Sequence, residues 1–189
     1  MNLIKSAKKF WAFLKKDTWQ SWLVSLVLIF IFIKIIFFPL LSFITSSPLP
    51  LVVVESCSMY HEAPFESWWQ SNAPFYESHE IEKSDFLAFP FKSGVNKGDI
   101  IFVWGRSSYK KGDIIIFEAG ARNPLIHRVI ATSPFSTKGD HNTDQLPIEI
   151  SIQEDSIIGK SAARIPLLGW LKLIFFEPLR SPQERGFCK

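Results

Sequence analysis

One serine and one histidine in this chain have the surroundings that covalent hydrolysis requires. Ser58 directly follows the strand-like run 51–54, and a serine hydroxyl becomes a good nucleophile only when a nearby base takes its proton. Of the four histidines, His127 lies inside an apolar, strand-like run, which would hold its ring rigidly. The pattern predicts Ser58 as the nucleophile and His127 as the general base. His61, three residues after Ser58, is the alternative base.

A carboxylate beside the imidazole would fix its tautomer and stabilise its charged form. The polar turn 139–144 supplies two candidates, Asp140 and Asp144. We expect Asp144 to partner His127 and Asp140 to support the site, with an exchange of the two roles as the alternative. Glu149, further along the chain, is the third choice.

The residues just before Ser58 have predicted roles as well. Ser56 lies two residues earlier, so in an extended segment its side chain would lie on the same side as that of Ser58. Its hydroxyl and the Ser58 N–H are therefore predicted to form an oxyanion hole. Cys57 would point the opposite way and serve in packing. Because Cys57 and Cys188 lie far apart in the sequence, we expect no disulfide framework.

Short β-strands are the elements that would position these side chains. Apolar runs bounded by Gly, Asn, Asp and Pro lie at 102–104, 114–117, 126–131 and 148–152. Two similar segments, 96–102 and 110–117, each predict a Gly-Asp turn that begins a strand, in a meander or a small barrel. No amphipathic pattern long enough for a ten-residue helix is evident between Leu51 and Asp155. The fold class is therefore predicted as a mainly β, small β-barrel-like domain over residues 45–176.

Three parts of this domain fit the strand pattern less well. The aromatic insertion 61–94 is predicted either as a lid or membrane-dipping loop, or as an ordinary insertion that packs its rings on the core. The apolar run 165–176 is too short for an ordinary membrane span, so it is predicted as a core segment or a patch on the bilayer surface. Residues 177–189 are predicted to be a frayed polar tail.

The N-terminal part of the chain predicts a membrane anchor. Residues 21–41 are nearly all apolar, and a helix of that length would cross roughly 30 Å of hydrocarbon. Lysines concentrate in residues 1–20, which predicts a cytoplasmic N-terminus and a domain on the outer face of the cell membrane. We expect an uncleaved single-pass anchor at 21–44. A cleaved secretory signal peptide is the alternative, but its apolar region would be shorter.

The composition of the chain limits the kinds of function it can have. A chain of 189 residues fits one domain and an anchor, and its aromatic share of 15% favours contact with lipid. The net charge of +3 arises in the first 20 residues, so no basic face for nucleic acid is expected. No metal-ligand cluster or phosphate loop is evident, and we expect neither metal nor cofactor.

The motifs taken together resemble those of the type I signal peptidases over roughly residues 51–169. In chain order they are Ser-x-Ser-Met at 56–59, Lys-Gly-Asp-Ile-Ile-Ile-Phe at 111–117, His-Arg-Val-Ile at 127–130, Thr-Lys-Gly-Asp-x-Asn at 137–142, Ile-Gly-Lys at 158–160 and Ala-Arg-Ile-Pro-Leu-Leu-Gly at 163–169. Most bacterial members have lysine where this chain has His127. Histidine there resembles the archaeal and endoplasmic-reticulum branch, which uses a Ser–His–Asp site.

The resemblance implies a membrane-anchored serine endopeptidase that removes signal peptides from exported preproteins. It assigns Ser58 as nucleophile, His127 as base and an aspartate of the Gly-Asp region as the third member. Small substrate residues would occupy shallow apolar pockets beside an extended peptide. The expected partners are preproteins, the lipid bilayer and the protein export channel.

Two features of the sequence depart from the family pattern. Met59 is followed by Tyr60 and His61 where members commonly have a proline two residues after the methionine. The second aspartate, Asp144, follows Asp140 more closely than usual. These departures and the insertion leave two alternatives open: a non-catalytic anchored β domain that presents substrates to another peptidase, and a processing peptidase of narrow specificity.

Overall fold

The structure is a computed structural model that describes residues 2–106, 108–120 and 123–189. It divides into two compact units, Met1–Ile44 and Thr45–Lys189. The first unit begins with helix α1 (Asn2–Leu14). Helix α2 (Trp19–Phe32) follows, and the Thr18 side chain caps it by accepting a hydrogen bond from the Ser21 N–H at 3.4 Å.

Helix α2 runs on through a π-helical turn, Ile33–Phe37, into helix α3 (Phe38–Thr45). Pro39 explains the turn, because a proline in a helix lacks an N–H and its ring crowds the carbonyl one turn earlier. Together these segments form a 27-residue apolar helix, Trp19–Thr45, with a mean hydropathy of 2.8. Its length and composition suit a membrane span, so the predicted N-terminal apolar helix is confirmed.

The second unit is built on an antiparallel sheet of six strands among the residues described, and the mainly β class is confirmed. The strands are β1 (Leu51–Val53), β2 (Ile100–Trp104), β3 (Ile114–Phe117), β4 (Leu125–Thr132), β5 (Phe135–Lys138) and β6 (Ile157–Ile165). Their order across the sheet is β1-β2-β6-β3-β4-β5. The two Gly-Asp turns do begin β2 and β3, but β6 lies between these strands, so the meander, one of the two expected arrangements, is wrong.

Strand β3 shows where the core sits. Successive side chains of a strand point to opposite faces of a sheet. Ile114 and Ile116 accordingly pack in one apolar cluster, with Val54 and Met59, whereas Ile115 and Phe117 pack in another. All four β3 side chains are buried, so the centre of the sheet is covered on both faces.

The aromatic insertion is helical, and the expectation of no ten-residue helix after Leu51 is wrong. Helix α4 (Phe65–Ser78) has 14 residues, and the short helix α5 (Lys83–Ala88) follows it. The rings at 65, 68, 69 and 76 recur at helical spacing despite Pro74 within the helix, which obscured the pattern. They form a buried cluster with Phe86 and with Ile130 of β4. The insertion thus packs its aromatic residues on the core.

Contacts hold the C-terminal residues in place, so the expectations of a frayed tail, of no disulfide and of a packing role for Cys57 are wrong. Helix α6 (Trp170–Phe176) is followed by two 3₁₀ turns, Glu177–Leu179 and Pro182–Glu184. Cys188 forms a disulfide with Cys57, across 131 residues of sequence. The predicted frayed tail is therefore joined to the segment that carries Ser58, and Cys57 is not merely a packing residue.

Trp68 offers a test of the helical insertion. It is buried, and its ring stacks on His61 with centroids 3.7 Å apart. We expect Trp68→Ala to lower the free energy of unfolding by about 3–5 kcal/mol, because it opens a cavity in the aromatic cluster. Urea denaturation in detergent would measure this. Trp104→Ala, at a tryptophan that is 38% exposed, is the matched control and should cost clearly less; equal costs would contradict the packing described here.

Candidate active site

Ser58 lies in the segment that follows strand β1 and contacts His127 of strand β4. The Ser58 Oγ lies 2.9 Å from the Nε2 of His127, and the imidazole is buried on β4. The backbone of the turn after β5 fixes the serine, because the Ser58 carbonyl accepts a hydrogen bond from the His141 N–H at 2.8 Å. With its Nε2 unprotonated, the imidazole accepts the serine proton. The structure therefore brings the predicted nucleophile and the predicted base within direct reach.

Glu149 occupies the other side of the imidazole. It is the last residue of a 3₁₀ turn, Pro147–Glu149, and its side chain is buried. Its Oε1 accepts hydrogen bonds from the His127 Nδ1–H and from the Thr137 hydroxyl, the latter at 2.9 Å. Its Oε2 accepts from the Leu146 N–H at 2.8 Å. The carboxylate is thus held by several donors and fixes the imidazole in the tautomer that leaves Nε2 free to act as base.

The expected pairing of His127 with Asp144 is wrong. Asp144 is exposed, and its carboxylate accepts a hydrogen bond from the neighbouring Gln145 N–H at 2.7 Å. The turn carries Asp144 into solvent before the chain returns to the core at Glu149. Gln145 assists that return, because its side-chain amide donates to the Thr137 carbonyl at 2.8 Å. The third choice from the sequence, Glu149, is the carboxylate that contacts the histidine.

Asp140 is buried on the far side of β4 and binds Arg128. The guanidinium donates from Nε at 2.9 Å and from Nη2 at 2.7 Å, one bond to each carboxylate oxygen. Tyr76 donates its hydroxyl at 3.0 Å, and the Nε2 of His61 lies at 3.1 Å. Burial alone would raise the pKa of Asp140, but the charge of Arg128 and the hydrogen bonds from His61 and Arg128 hold it well below its usual range. The alternative role for Asp140, as direct partner of His127, is therefore wrong as well.

His61 is committed to this structural network. Its Nε2 is hydrogen-bonded to the Asp140 carboxylate, and the indole of Trp68 stacks on the face of its ring. The Ser58 hydroxyl is instead hydrogen-bonded to His127, so the geometry favours His127 over His61 as the candidate base.

Ser56 lies close to the Ser58 hydroxyl, on the same side of the segment as the sequence predicted. Its Oγ is 3.2 Å from the Ser58 Oγ, and either hydroxyl could donate. The two hydroxyl groups therefore share one small region. A negatively charged oxygen that developed there would have the Ser56 hydroxyl within reach.

Gly139 is a site residue that the sequence reasoning did not single out. A Cβ at this position would lie 2.9 Å from the His127 Nε2 and 2.8 Å from the Ser58 carbonyl oxygen, both too close for a side chain. The turn can therefore approach the serine–histidine pair only because residue 139 is glycine. The Thr-Lys-Gly-Asp motif contained the signal, although its glycine was read only as part of a turn.

Lys138 is the second residue around the site that the sequence reasoning left without a role. Its Nζ donates to the Gly139 carbonyl at 3.0 Å and lies over the rings of Phe75 and Tyr76. Burial lowers the pKa of this ammonium group. The lysine thus ties the insertion to the turn beside the active site.

With this geometry established, the chain can be compared with known proteins. No family model matches it. It is similar to curated proteins named signal peptidase complex catalytic subunit SEC11. That of Scheffersomyces stipitis is 31% identical over 105 residues, 48% of this chain and 63% of the relative. That of Candida albicans is 30% identical over 105 residues, again 48% of this chain and 63% of the relative. That of Verticillium alfalfae is 26% identical over 152 residues, which is 72% of this chain and 70% of the relative.

These relatives agree in name with the resemblance carried by the motifs. The chain spans a little under two thirds of the length of the Scheffersomyces stipitis and Candida albicans proteins. Homologues are thus catalytic subunits of a signal peptidase complex, and the chain has one candidate membrane span near its N-terminus. The chain thus has a mainly β domain and an N-terminal apolar helix, and it is similar to catalytic subunits of signal peptidase complexes.

The Arg128–Asp140 pair generates a stability prediction. Removal of one partner from a buried ion pair leaves an uncompensated charge, so Asp140→Asn should lower the free energy of unfolding by about 3–5 kcal/mol at pH 7. Because the folded-state pKa of Asp140 is depressed, its contribution is full above the unfolded-state pKa of about 3.9 and declines progressively as the pH falls from there towards the folded-state pKa. The parent should therefore approach the variant in stability at pH 3.

Denaturation of both proteins at pH 7, 4.5 and 3 would measure this convergence. Asp144→Asn is the matched control and should change stability by less than about 0.5 kcal/mol, because Asp144 is exposed. A difference between parent and Asp140→Asn that stays constant across the three pH values would contradict the assignment.

Proposed function

We propose that this chain is a membrane-bound serine endopeptidase that removes signal peptides from exported preproteins. The observation that carries the proposal is the hydrogen-bonded series from the Ser58 Oγ to His127 and on to Glu149. Similarity to catalytic subunits of the signal peptidase complex supports the choice of substrate. In this proposal the third member of the site is a glutamate in place of the expected aspartate.

The geometry supports a two-step hydrolysis. The Nε2 of His127 takes the proton of the Ser58 hydroxyl as the Oγ attacks the scissile carbonyl carbon. The carbonyl oxygen becomes negatively charged in the tetrahedral intermediate, and the Ser56 hydroxyl and the Ser58 N–H donate hydrogen bonds to it. Glu149 stabilises the imidazolium. The imidazolium then protonates the leaving amine, which departs and leaves an acyl-enzyme.

Deacylation reverses the roles with water in place of the amine. His127 removes a proton from a water molecule, whose oxygen attacks the acyl carbon, and the imidazolium returns that proton to the Ser58 Oγ. The products are the free carboxyl end of the signal peptide and the restored serine. Glu149 remains ionised throughout and keeps the ring in one orientation.

The proposed substrate is an extended peptide with small residues before the cut, held in shallow apolar pockets. The long apolar helix is proposed as the anchor, with residues 1–20 in the cytoplasm, residues 21–44 in the membrane and the β domain on the outer face of the cell membrane. The names of the relatives refer to a complex, so association with further subunits and with the protein export channel is part of the proposal.

Removal of either reacting group tests the proposal. Ser58→Ala and His127→Ala should each reduce the cleavage rate of a preprotein below about one thousandth of that of the parent, because the proposed mechanism takes its nucleophile from Ser58 and its base from His127. Purified protein in detergent, a preprotein with a small-x-small site and gel analysis of the products would measure the rates.

One control variant and two possible outcomes decide the test. His141→Ala, at an exposed histidine that contacts Glu62, should retain activity within a few fold. If the two active-site variants cleave as fast as the parent, the mechanism is wrong. If the parent itself cleaves nothing, the chain is the non-catalytic β domain that the sequence left as the alternative.

The identity of the carboxylate yields a separate prediction. Glu149→Gln keeps the size of the side chain but removes the charge that orients His127, so kcat should fall on the order of 10³–10⁴-fold. Asp144→Asn is the matched control and should stay within about twofold, because its side chain is exposed. The reverse ranking of the two variants, measured as kcat on the same preprotein, would return the role to Asp144.

A further inference from the structure

The segment that carries Ser58 is hydrogen-bonded at its two ends to the residues that precede strand β2. On one side, Val54 exchanges backbone hydrogen bonds with Gly98 and Asp99, at 2.8 and 2.9 Å. On the other, the Met59 carbonyl accepts from the Val95 N–H at 3.0 Å. Residues 55–58 lie between these anchors, outside regular strand structure. Their position therefore depends on contacts from elsewhere in the domain.

The C-terminal segment, residues 177–189, supplies two of those contacts. The first is the disulfide between Cys188 and Cys57, whose Cα atoms lie 5.6 Å apart. Cys57 directly precedes Ser58, the proposed nucleophile. It crosses 131 residues of sequence, so it ties the end of the described chain to the active-site segment. A covalent bond at the residue before Ser58 restricts how far the serine can move.

Arg180 supplies the second contact, with Glu55. Its Nη1 donates to the Glu55 carbonyl at 3.0 Å, and its Nη2 donates to the Glu55 carboxylate at 2.6 Å. One guanidinium thus holds both the backbone and the side chain of the same residue. Lys172 also donates to this carboxylate, at 2.9 Å. Burial acts to raise the pKa of Glu55, but the bonds and charges of Lys172 and Arg180 outweigh it and lower the pKa.

The C-terminal segment is itself fixed to the domain, as a support must be. Glu177 accepts a hydrogen bond from the buried ammonium group of Lys97 at 3.0 Å, and from the Gly186 N–H at 2.7 Å. The ring of Phe187 packs on Trp170 of α6, with centroids 4.5 Å apart. A cleft of about 440 Å³ lies between this segment and residues 55–57.

We propose that Cys188 and Arg180 are positioning residues, which hold segment 55–58 so that the Ser58 Oγ stays within reach of His127. The inference rests on the proposed function, since it concerns the same nucleophile. A displacement of about 1 Å at a reacting group can cost on the order of a hundredfold in rate. Loss of either support should therefore lower the rate of the chemical step while substrate binding is kept.

The test uses the full chain in detergent, with the disulfide intact, and a preprotein as substrate. Reduction with dithiothreitol and the variant Cys188→Ser should each lower kcat by about ten- to a hundredfold and leave KM within about twofold. Reoxidation should restore kcat of the parent and leave kcat of Cys188→Ser unchanged.

Arg180→Gln, in which the disulfide remains, should also lower kcat, and Arg180→Lys should recover part of the lost rate. Lys83→Gln removes an exposed ion pair with Glu66 and is the matched control, with unchanged kcat.

A thermal unfolding curve of each protein separates positioning from general stability. If reduced parent, Cys188→Ser and Arg180→Gln all keep the parental kcat, the inference is wrong. It is also wrong if kcat falls only in samples whose unfolding transition is lost at the assay temperature. Ser58→Ala in the same assay separates the two proposals: cleavage that does not depend on Ser58 overturns the proposed function, whereas cleavage that depends on Ser58 but not on the disulfide or Arg180 overturns only the positioning role.

Discussion

The buried ion pair between Arg128 and Asp140 is the interaction on which the rest of the site depends. Two buried charges are costly unless they are paired and their remaining hydrogen-bonding groups are satisfied. Here Arg128 also donates to the carbonyls of Pro90, Phe91 and Gly112, and Asp140 also binds Tyr76 and His61. One pair thus joins strand β4, the turn after β5, the turn before β3 and the helical insertion.

The side chains of the candidate site are placed by the same elements. His127 and Arg128 are consecutive on β4 and point to opposite faces, so the strand that carries the buried cation also carries the imidazole. The turn held by Asp140 brings Gly139 against the His127 ring and the His141 N–H to the Ser58 carbonyl. The position of Ser58 relative to His127 therefore depends on this buried charge pair.

Much of this arrangement could be predicted from local sequence. The N-terminal helix follows from a continuous apolar run, and the strands from short β-rich runs between turn residues. The proximity of Ser58 and His127 was expected from the order of the motifs. Glu149 was ranked too low because spacing along the chain does not show which of several nearby carboxylates the backbone turns inward. Pro147 was the local signal, since it begins the 3₁₀ turn that buries this glutamate.

Other features arise from tertiary contacts that sequence patterns do not encode. The Cys57–Cys188 bond joins residues 131 positions apart, and two cysteines alone carry no signal of pairing. Helix α4 was missed because Pro74 and many polar residues interrupt its aromatic spacing, and its stability comes from packing on Ile130 of β4. Both features border the candidate site. Local sequence patterns therefore predicted Ser58 and His127 better than the residues that hold them in place.

The most direct measurement of the central claim is the site and rate of covalent labelling by a serine-reactive acylating probe, read by mass spectrometry. The coupling of Ser58, His127 and Glu149 predicts a single modification at Ser58, abolished in His127→Ala and strongly slowed in Glu149→Gln, with Asp144→Asn labelled at the parental rate. Labelling of Ser58 at equal rates in all four proteins, or labelling at another residue, would contradict it.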